Sequence, residues 1–265
     1  MKLGLALPSF VEDPEIPIAV AVEAEASGLD GVFVYDHLWR ERPPPRRPAI
    51  ECFTLLGAVA AETARVMVGT LVARASLRPA PTLVAGFDTA QRISGGRLIA
   101  GIGAGDSESR GENEAYGLEF GNQSERIVVL ADAVDGARNR GYPVWVGGNA
   151  ARVRHVVARA DGWNGWGASV DEFAARAALV QEIAPAAALT WGGLVLVGRD
   201  ERDAREKADR LRAGPHVVFG GPEHVAAGLV RYRDAGASWA VVAPIDASEP
   251  ENATILGDVR AALAR

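Results

Sequence analysis

The chain has 265 residues, 48% of them hydrophobic and 23% charged, with a formal net charge of −6 and a single cysteine. That length fits one large domain or two small ones, and single α/β barrels of about 250 residues are common. The acidic balance argues against a general nucleic-acid role, which needs a basic surface.

Cys52 alone excludes an internal disulfide and a cysteine-built metal cluster, and reads as a small helix residue. His37, His155, His216 and His224 form neither an HxH nor an HExxH pattern, so no metal site is expected. No run approaches the roughly 18 apolar residues of a membrane span. Met1-Lys2 leads into the apolar stretch Leu3–Leu7 and then Pro8, too short for a signal-peptide core. A cytoplasmic location without membrane contact is expected.

Apolar runs recur along the chain. Strands are expected near Lys2–Leu7, Gly31–Tyr35, Val66–Leu71, Arg97–Ile102, Pro143–Val146, Gly162–Trp166, Leu189–Val197 and Trp239–Ala243. Most are short and continuously apolar, the pattern of parallel strands buried on both faces. Alanine-rich helical patterns fill the gaps: Ile16–Ala26, Glu51–Ala64, Pro79–Ile93, Ser124–Arg138, Ala150–Ala160, Asp171–Ile183, Asp200–Arg212, Glu223–Ala235 and Glu251–Ala264. Eight strand–helix repeats favour a closed (β/α)8 TIM barrel over residues 1–265 as a single domain. An open doubly wound sheet is the rival and would need fewer strands. Pro43–Pro48 is the one biased stretch, and reads as a short extended loop.

In a barrel of this kind the chemistry sits at the carboxyl ends of the strands. The second strand ends in Tyr35-Asp36-His37-Leu38-Trp39. Asp36 and His37 would supply hydrogen bonds there, and Trp39 an aromatic wall. The fourth strand runs into Gly101-Ile102-Gly103-Ala104-Gly105-Asp106-Ser107-Glu108. Its glycines remove Cβ atoms, so a flat ligand could approach the backbone. Asp106 and Glu108 are candidate acids at the mouth. The segment is no dinucleotide fingerprint, because no sixth-position glycine and no immediate helix follow. The fifth strand ends in Gly147-Gly148-Asn149 before a helix. Asn149 reads as its N-cap, the backbone N–H groups are open to an anion, and Arg152 on the first turn could reinforce them. Asn164 and Trp166 are placed to line the same cavity.

Taken in order, these segments resemble the luciferase-like monooxygenase superfamily, and within it the coenzyme F420-dependent oxidoreductase branch. The carriers are Leu3–Pro8, GVFVYDHLW (Gly31–Trp39), Gly69–Val72 with Arg78-Pro79, and DTAQRISGGRLIAGIGAGD (Asp88–Asp106). VWVGGN (Val144–Asn149), ADGWN (Ala160–Asn164), Gly221-Pro222-Glu223 and Asp234–Val242 follow. The resemblance implies a barrel that binds a deazaflavin, or alternatively FMN, at the strand ends. It places Asp36 and His37 beside the ring, with His37, oriented by Asp36, or Asp106 handling a proton. Leu71-Val72 falls where relatives carry a non-proline cis peptide against the ring. Ala104 and Gly105 match the edge that contacts the cofactor. Gly147, Gly148, Asn149 and Arg152 match the phosphate-binding helix start. Trp39 and Trp166 are left for a small-molecule substrate.

One departure stands out. Relatives place a further segment between the helix carrying Arg126 and the VWVGG strand, whereas here Tyr142-Pro143-Val144 follows almost at once. That implies a more open mouth or cover from a second subunit, and a homodimer is expected. Three readings therefore stand side by side: an F420-dependent oxidoreductase, an FMN-dependent monooxygenase, and a cofactor-binding protein without turnover. A Schiff-base barrel is disfavoured, because it needs a lysine at the carboxyl end of a strand and the only lysines, Lys2 and Lys207, are poorly placed for that.

Overall fold

The structure is a computed structural model and describes residues 1–40, 47–106, 109–212, 214 and 217–265. Residues 43–46 of the proline-rich stretch, the candidate acid Glu108 with its neighbour Ser107, and His216 lie outside the described residues.

In chain order the elements begin with β1 (Lys2–Ala6), α1 (Glu15–Ala26), β2 (Gly31–Val34), β3 (Trp39–Arg40), β4 (Arg47–Pro48) and α2 (Cys52–Glu62). Next come β5 (Met67–Thr70), β6 (Ala73–Arg74), a single 3-10 turn (Ala75–Leu77), α3 (Ala80–Ile93), β7 (Leu98–Gly103), α4 (Ser109–Ala115) and α5 (Gln123–Ala137). The remainder is β8 (Val144–Gly147), α6 (Ala150–Val157), β9 (Gly162–Trp166), α7 (Val170–Ile183), β10 (Ala188–Val197), α8 (Glu201–Leu211), β11 (Val218–Gly220), α9 (Pro222–Asp234), β12 (Trp239–Pro244) and α10 (Glu251–Ala262).

Eight parallel strands close a ring: β1, β2, β5, β7, β8, β9, β10 and β12, with β12 returning to β1. This is the (β/α)8 barrel that the strand–helix alternation predicts, and the open-sheet rival is set aside by the β9–β10 and β12–β1 pairings. The elements that the apolar pattern misses are short. β6 pairs in parallel with the carboxyl end of β7, β11 does the same with the carboxyl end of β10, and β3 pairs with β4 as a small antiparallel ribbon. Runs of two or three residues carry no readable periodicity. The same limit hides α4, which proves to matter at the site.

Side chains alternate across each strand, so one set points out to the helices and the other into the barrel. The outward set, including Leu3, Leu5, Val32, Val34 and Val68, joins the helices in one large core. The inward set is Ala6, Phe33, Leu71, Ile99, Trp145, Trp239, Val241 and Ala243. Phe33 stacks on Trp145 with ring centroids 5.7 Å apart, and Trp239 meets Trp145 edge-on at 5.5 Å. Such large rings fit because their neighbours are small. A Cβ on Gly4 would come within 2.7 Å of the Phe33 ring, and one on Gly69 within 2.5 Å of the Ile99 carbonyl. The barrel is thus filled below its mouth, and open space begins only above Leu71 and Ala243.

Helix starts are set locally. Asn122 caps α5 by accepting from Ser124 N and Glu125 N, while the Glu125 carboxylate returns to Asn122 N at 2.6 Å. Ser169 and Glu172 repeat this reciprocal pattern at α7. Each such cap satisfies backbone donors that a helix start leaves open.

Candidate active site

A cavity of about 1240 Å³ lies at the carboxyl ends of the strands. That exceeds the roughly 300–1,000 Å³ of an ordinary small-ligand site, so it has room for two molecules side by side. The described residues expected from the sequence line it: Asp36, His37, Trp39, Leu71 and Val72 from one side, Ala104, Gly105 and Asp106 from the next. Gly147, Gly148, Asn149, Arg152, Asn164 and Trp166 continue the wall.

The expected partnership between Asp36 and His37 is corrected by the geometry. Asp36 is 2% exposed, and both its oxygens are taken by the β6 side of the barrel. Arg78 holds them in a fork at 2.6 and 3.0 Å, and Arg74 N–H donates to Oδ2 at 2.8 Å. Arg78 also reaches Glu51 at 2.7 Å. Burial disfavours the Arg78 charge, but its bonds to Asp36 and Glu51 outweigh that and hold it firmly protonated.

His37 is oriented instead by Glu112 of α4. Its Nδ1 lies 2.7 Å from Glu112 Oε1, and Glu112 Oε2 accepts from Leu38 N and from Arg74 Nη2, both at 2.8 Å. Arg74 closes the circuit by donating from Nε to the Asp36 carbonyl at 2.7 Å. A chain of alternating charge thus runs Glu51, Arg78, Asp36, Arg74, Glu112 and ends on the imidazole. Burial pushes the Glu112 carboxyl up, yet the hydrogen bonds from His37 and Leu38 and the charges of His37 and Arg74 outweigh it. The carboxyl is held below its ordinary value. With a proton on Nδ1 directed at Glu112, Nε2 is left as the acceptor nitrogen. Glu112 is the residue of this hydrogen-bonded network that the sequence reading missed. It stands 75 residues from His37, among the other acids of the 106–114 segment, and nothing local distinguishes it.

The glycine wall also differs from the expectation. A Cβ on Gly101 would lie 2.0 Å from the Thr70 carbonyl, one on Gly103 2.4 Å from Val72 Cγ2, and one on Gly147 2.8 Å from Val72 Cγ1. The absence of a Cβ at these glycines makes room for the protein's own β5–β6 segment, although Gly103 and Gly147 also line the cavity. The side chain they admit, Val72, faces the cavity beside them. The Leu71–Val72 peptide is cis. Gly105 has φ +75°, a turn that glycine accommodates without strain. Asp106 accepts from Ser109 N at 3.0 Å and Ser109 Oγ at 2.9 Å, so it stands at the start of α4 with one oxygen engaged.

The fifth strand supplies the cradle. Gly148 has φ +130°, and Asn149 caps α6 by accepting from Ala151 N at 3.2 Å. The loop is pinned from behind: Trp163 Nε1 donates to the Gly148 carbonyl at 2.9 Å, and Gly148 N–H reaches the Asn164 carbonyl at 3.4 Å. Arg152 lines the cavity from the first turn of α6. Arg126 enters from α5, its guanidinium 4.2 Å from the centre of the Phe120 ring, with a buried Nε that has no hydrogen-bond partner. Two arginines and a helix start form a donor set suited to a phosphate-bearing ligand. Among the described residues no group of His, Cys, Asp and Glu is arranged to hold a metal ion.

The two tryptophans divide. Trp39 is nearly buried and stacks on Tyr116 at 5.5 Å. Trp166 is 41% exposed and meets Tyr35 edge-on at 5.9 Å. Tyr35 stacks in turn on Phe10 at 6.2 Å, and Phe10 lies 5.6 Å from His37.

The barrel agrees with what the chain is similar to. The family model for luciferase-like monooxygenases matches residues 1–138, just over half of the sequence. The chain belongs to the luciferase-like monooxygenase family. Within it, the chain is 36% identical over 138 residues to an F420-dependent glucose-6-phosphate dehydrogenase of Beutenbergia cavernae, a match covering 51% of this chain and 39% of that enzyme. It is 38% identical over 137 residues to the enzyme of the same name from Kineococcus radiotolerans, covering 51% of this chain and 39% of that one. The matched part thus spans about two fifths of the length of these relatives. Among solved structures, an F420-dependent secondary alcohol dehydrogenase in complex with an F420-acetone adduct superposes with a TM-score of 0.80 at 15% identity, covering 99% of this chain and 98% of that one. A coenzyme F420-dependent tetrahydromethanopterin reductase from Methanopyrus kandleri gives 0.75 at 16%, covering 97% of each chain. At that identity the likeness concerns the luciferase-like fold alone.

Proposed function

We propose that the chain, as one barrel domain, is an oxidoreductase that binds coenzyme F420 in this cavity and moves a hydride to or from a small organic substrate. The observation that carries the reading is the meeting, at one mouth, of an anion cradle and an imidazole held by a buried carboxylate. The F420-dependent relatives named above support the choice of cofactor. When bound, the deazaflavin supplies the hydride donor or acceptor; the protein's share is binding, orientation and the proton.

Gly147, Gly148 and Asn149 with Arg152 would hold the phosphate, and Arg126 would add a second cation. Leu71, Val72, Ala104 and Gly105 would pack against the ring. His37 would exchange the substrate proton at Nε2, while ionised Glu112 fixes the tautomer and stabilises the imidazolium that forms. Asp36 serves this site through Arg74 and Arg78, and Asp106 stands as a second proton-handling group at the mouth.

The exposed Val128 and Val129 on α5 and the short connection after that helix support a homodimer. Light scattering checks it, a monomer mass of 27.8 kDa at micromolar concentration counting against it. No described helix is long and apolar enough to cross a membrane, which is in keeping with a cytoplasmic enzyme.

Binding of oxidised coenzyme F420, followed by its fluorescence, tests the cradle. Gly148→Leu should weaken it by about 10-fold or more, equivalent to about 1.4 kcal/mol. Unchanged affinity in a folded variant would overturn the assignment.

A further inference from the structure

Among the described residues, two buried aromatic side chains belong to neither hydrophobic core: Trp39 and Phe120. Both lie against α4 or its end. Trp39 stacks on Tyr116, the residue that follows the helix. Phe120 is 4% exposed, and the guanidinium carbons of Arg110 on α4 and Arg126 on α5 lie 5.1 and 4.2 Å from its ring centre. The ring edge also reaches the first residues of α4: a Cβ on Gly105 would lie 3.4 Å from Phe120 Cε2 and 3.6 Å from Ser109 Cβ. Phe120 is therefore in contact both with the helix that carries Glu112 and with an arginine that lines the cavity.

Within its own span α4 has no apolar anchor. Its buried residues are Ser109, Glu112 and Asn113, and none of its side chains joins either core. Polar bonds hold it: Glu112 to His37, Leu38 N and Arg74, and Asn113 Nδ2 to the Ser76 carbonyl at 3.0 Å. An element that buries so little apolar surface opens at lower cost than the barrel beneath it. The orientation of His37 thus depends on α4 being docked. The Leu38 amide reports that state, because its acceptor is Glu112 Oε2.

Arg126 is not saturated by the protein. Its Nη1 donates to the Gly121 carbonyl at 3.0 Å, while its buried Nε has no partner. An anion held by this guanidinium would fix it over the Phe120 ring, and the fixed ring would hold Arg110 and the start of α4. We infer that Phe120 is a positioning residue that couples the two parts of the site: anion binding at Arg126 keeps α4 docked and so keeps Glu112 on His37. The inference rests on the phosphate cradle proposed above and adds a link from that cradle to the imidazole. Such a coupling is reciprocal, so a docked α4 in turn tightens anion binding.

The test is hydrogen exchange of the Leu38 amide in the whole chain, at fixed pH and ionic strength, without ligand and with saturating inorganic phosphate. Oxidised coenzyme F420 is run in parallel. Phosphate should slow the exchange by about 5-fold or more, the lower end of the usual coupling between two sites. Phe120→Leu should bind phosphate more weakly and, at saturation, lose most of the slowing. Phe120→Tyr keeps the ring and should retain it. Arg110→Gln, an exposed change outside the cavity lining, should also reduce the slowing, and it decides the question if Phe120→Leu does not fold. Equal slowing in the native chain and in Phe120→Leu would mean that the anion acts through its field alone, and overturns the link while the cradle stands. Phosphate that binds without slowing Leu38 does the same. If neither phosphate nor the coenzyme binds, the cradle reading falls. The hold of Phe120 on α4 is then read in the unliganded chain. Faster Leu38 exchange in Phe120→Leu, with the barrel-strand amides unchanged, supports it; unchanged exchange overturns it.

Discussion

Nδ1 of His37 lies 2.7 Å from Oε1 of Glu112, a carboxylate that reaches it from the seven-residue helix following β7. Glu112 is itself held by Leu38 N and Arg74, so the imidazole has one fixed orientation and one nitrogen left for chemistry. If His37 exchanges the proton, His37→Ala should still bind cofactor, because the cradle lies elsewhere. Its turnover should fall roughly 100-fold to 10,000-fold, the usual range for losing a general acid or base. Glu112→Gln should lower kcat less and alter its pH profile, since a neutral amide could no longer stabilise an imidazolium. Single-turnover cofactor oxidation beside a binding titration separates these. Weak binding by His37→Ala with normal turnover at saturation would assign the ring to packing.

The lowered Glu112 carboxyl carries a sign for acid stability. A group whose folded value lies below its ordinary 4.5 stabilises the fold above that pH, and the contribution is lost as pH falls through the lower folded value. Unfolding free energy should therefore drop below about pH 4.5 in the native protein. Glu112→Gln should be less stable at pH 7 by about 1–3 kcal/mol, the usual loss on leaving buried partners poorly paired, and should show a shallower acid decline. Denaturant titrations across that window read both effects. Parallel acid profiles for the two proteins would refute the linkage.

Arg78 is the principal support of buried Asp36. Arg78→Ala leaves that carboxylate with only the Arg74 N–H, and should cost about 3–5 kcal/mol. Arg78→Lys keeps the charge but loses the fork, and should fall between the two. A loss within the scatter of surface substitutions would show that Asp36 is stabilised by something else.

Val72 and the glycines around it form one packed unit. Gly103→Ala should force Val72 to move and destabilise the fold by about 1–3 kcal/mol, as overpacking does. Adding Val72→Ala should recover part of that loss, since the clashing methyl groups are gone. Urea denaturation of the single and double variants measures the coupling, and strict additivity would contradict the contact.

Much of this was legible in the sequence because it is local. The eight staves announce themselves as apolar runs, and Gly147-Gly148-Asn149 carries its strand end, turn and helix cap in consecutive residues. His37 and Trp166 reach the cavity because strand ends do. The rest depends on pairings across the fold. Glu112 meets His37 from 75 residues away, and Arg78 meets Asp36 from 42. No periodicity encodes such pairs, so adjacency in the chain pointed to Asp36 instead. Gly101 and Gly103 were visible as glycines, but what fills the space beside them, Thr70 and Val72, follows only from the register of the neighbouring strand.

The most direct test of the account is a side-by-side equilibrium titration of the chain with oxidised coenzyme F420 and with FMN, followed by cofactor fluorescence and absorbance. Saturable binding of coenzyme F420 is expected, at least about 10-fold tighter than FMN, a difference of about 1.4 kcal/mol. Saturable binding of FMN with none of coenzyme F420 would contradict it.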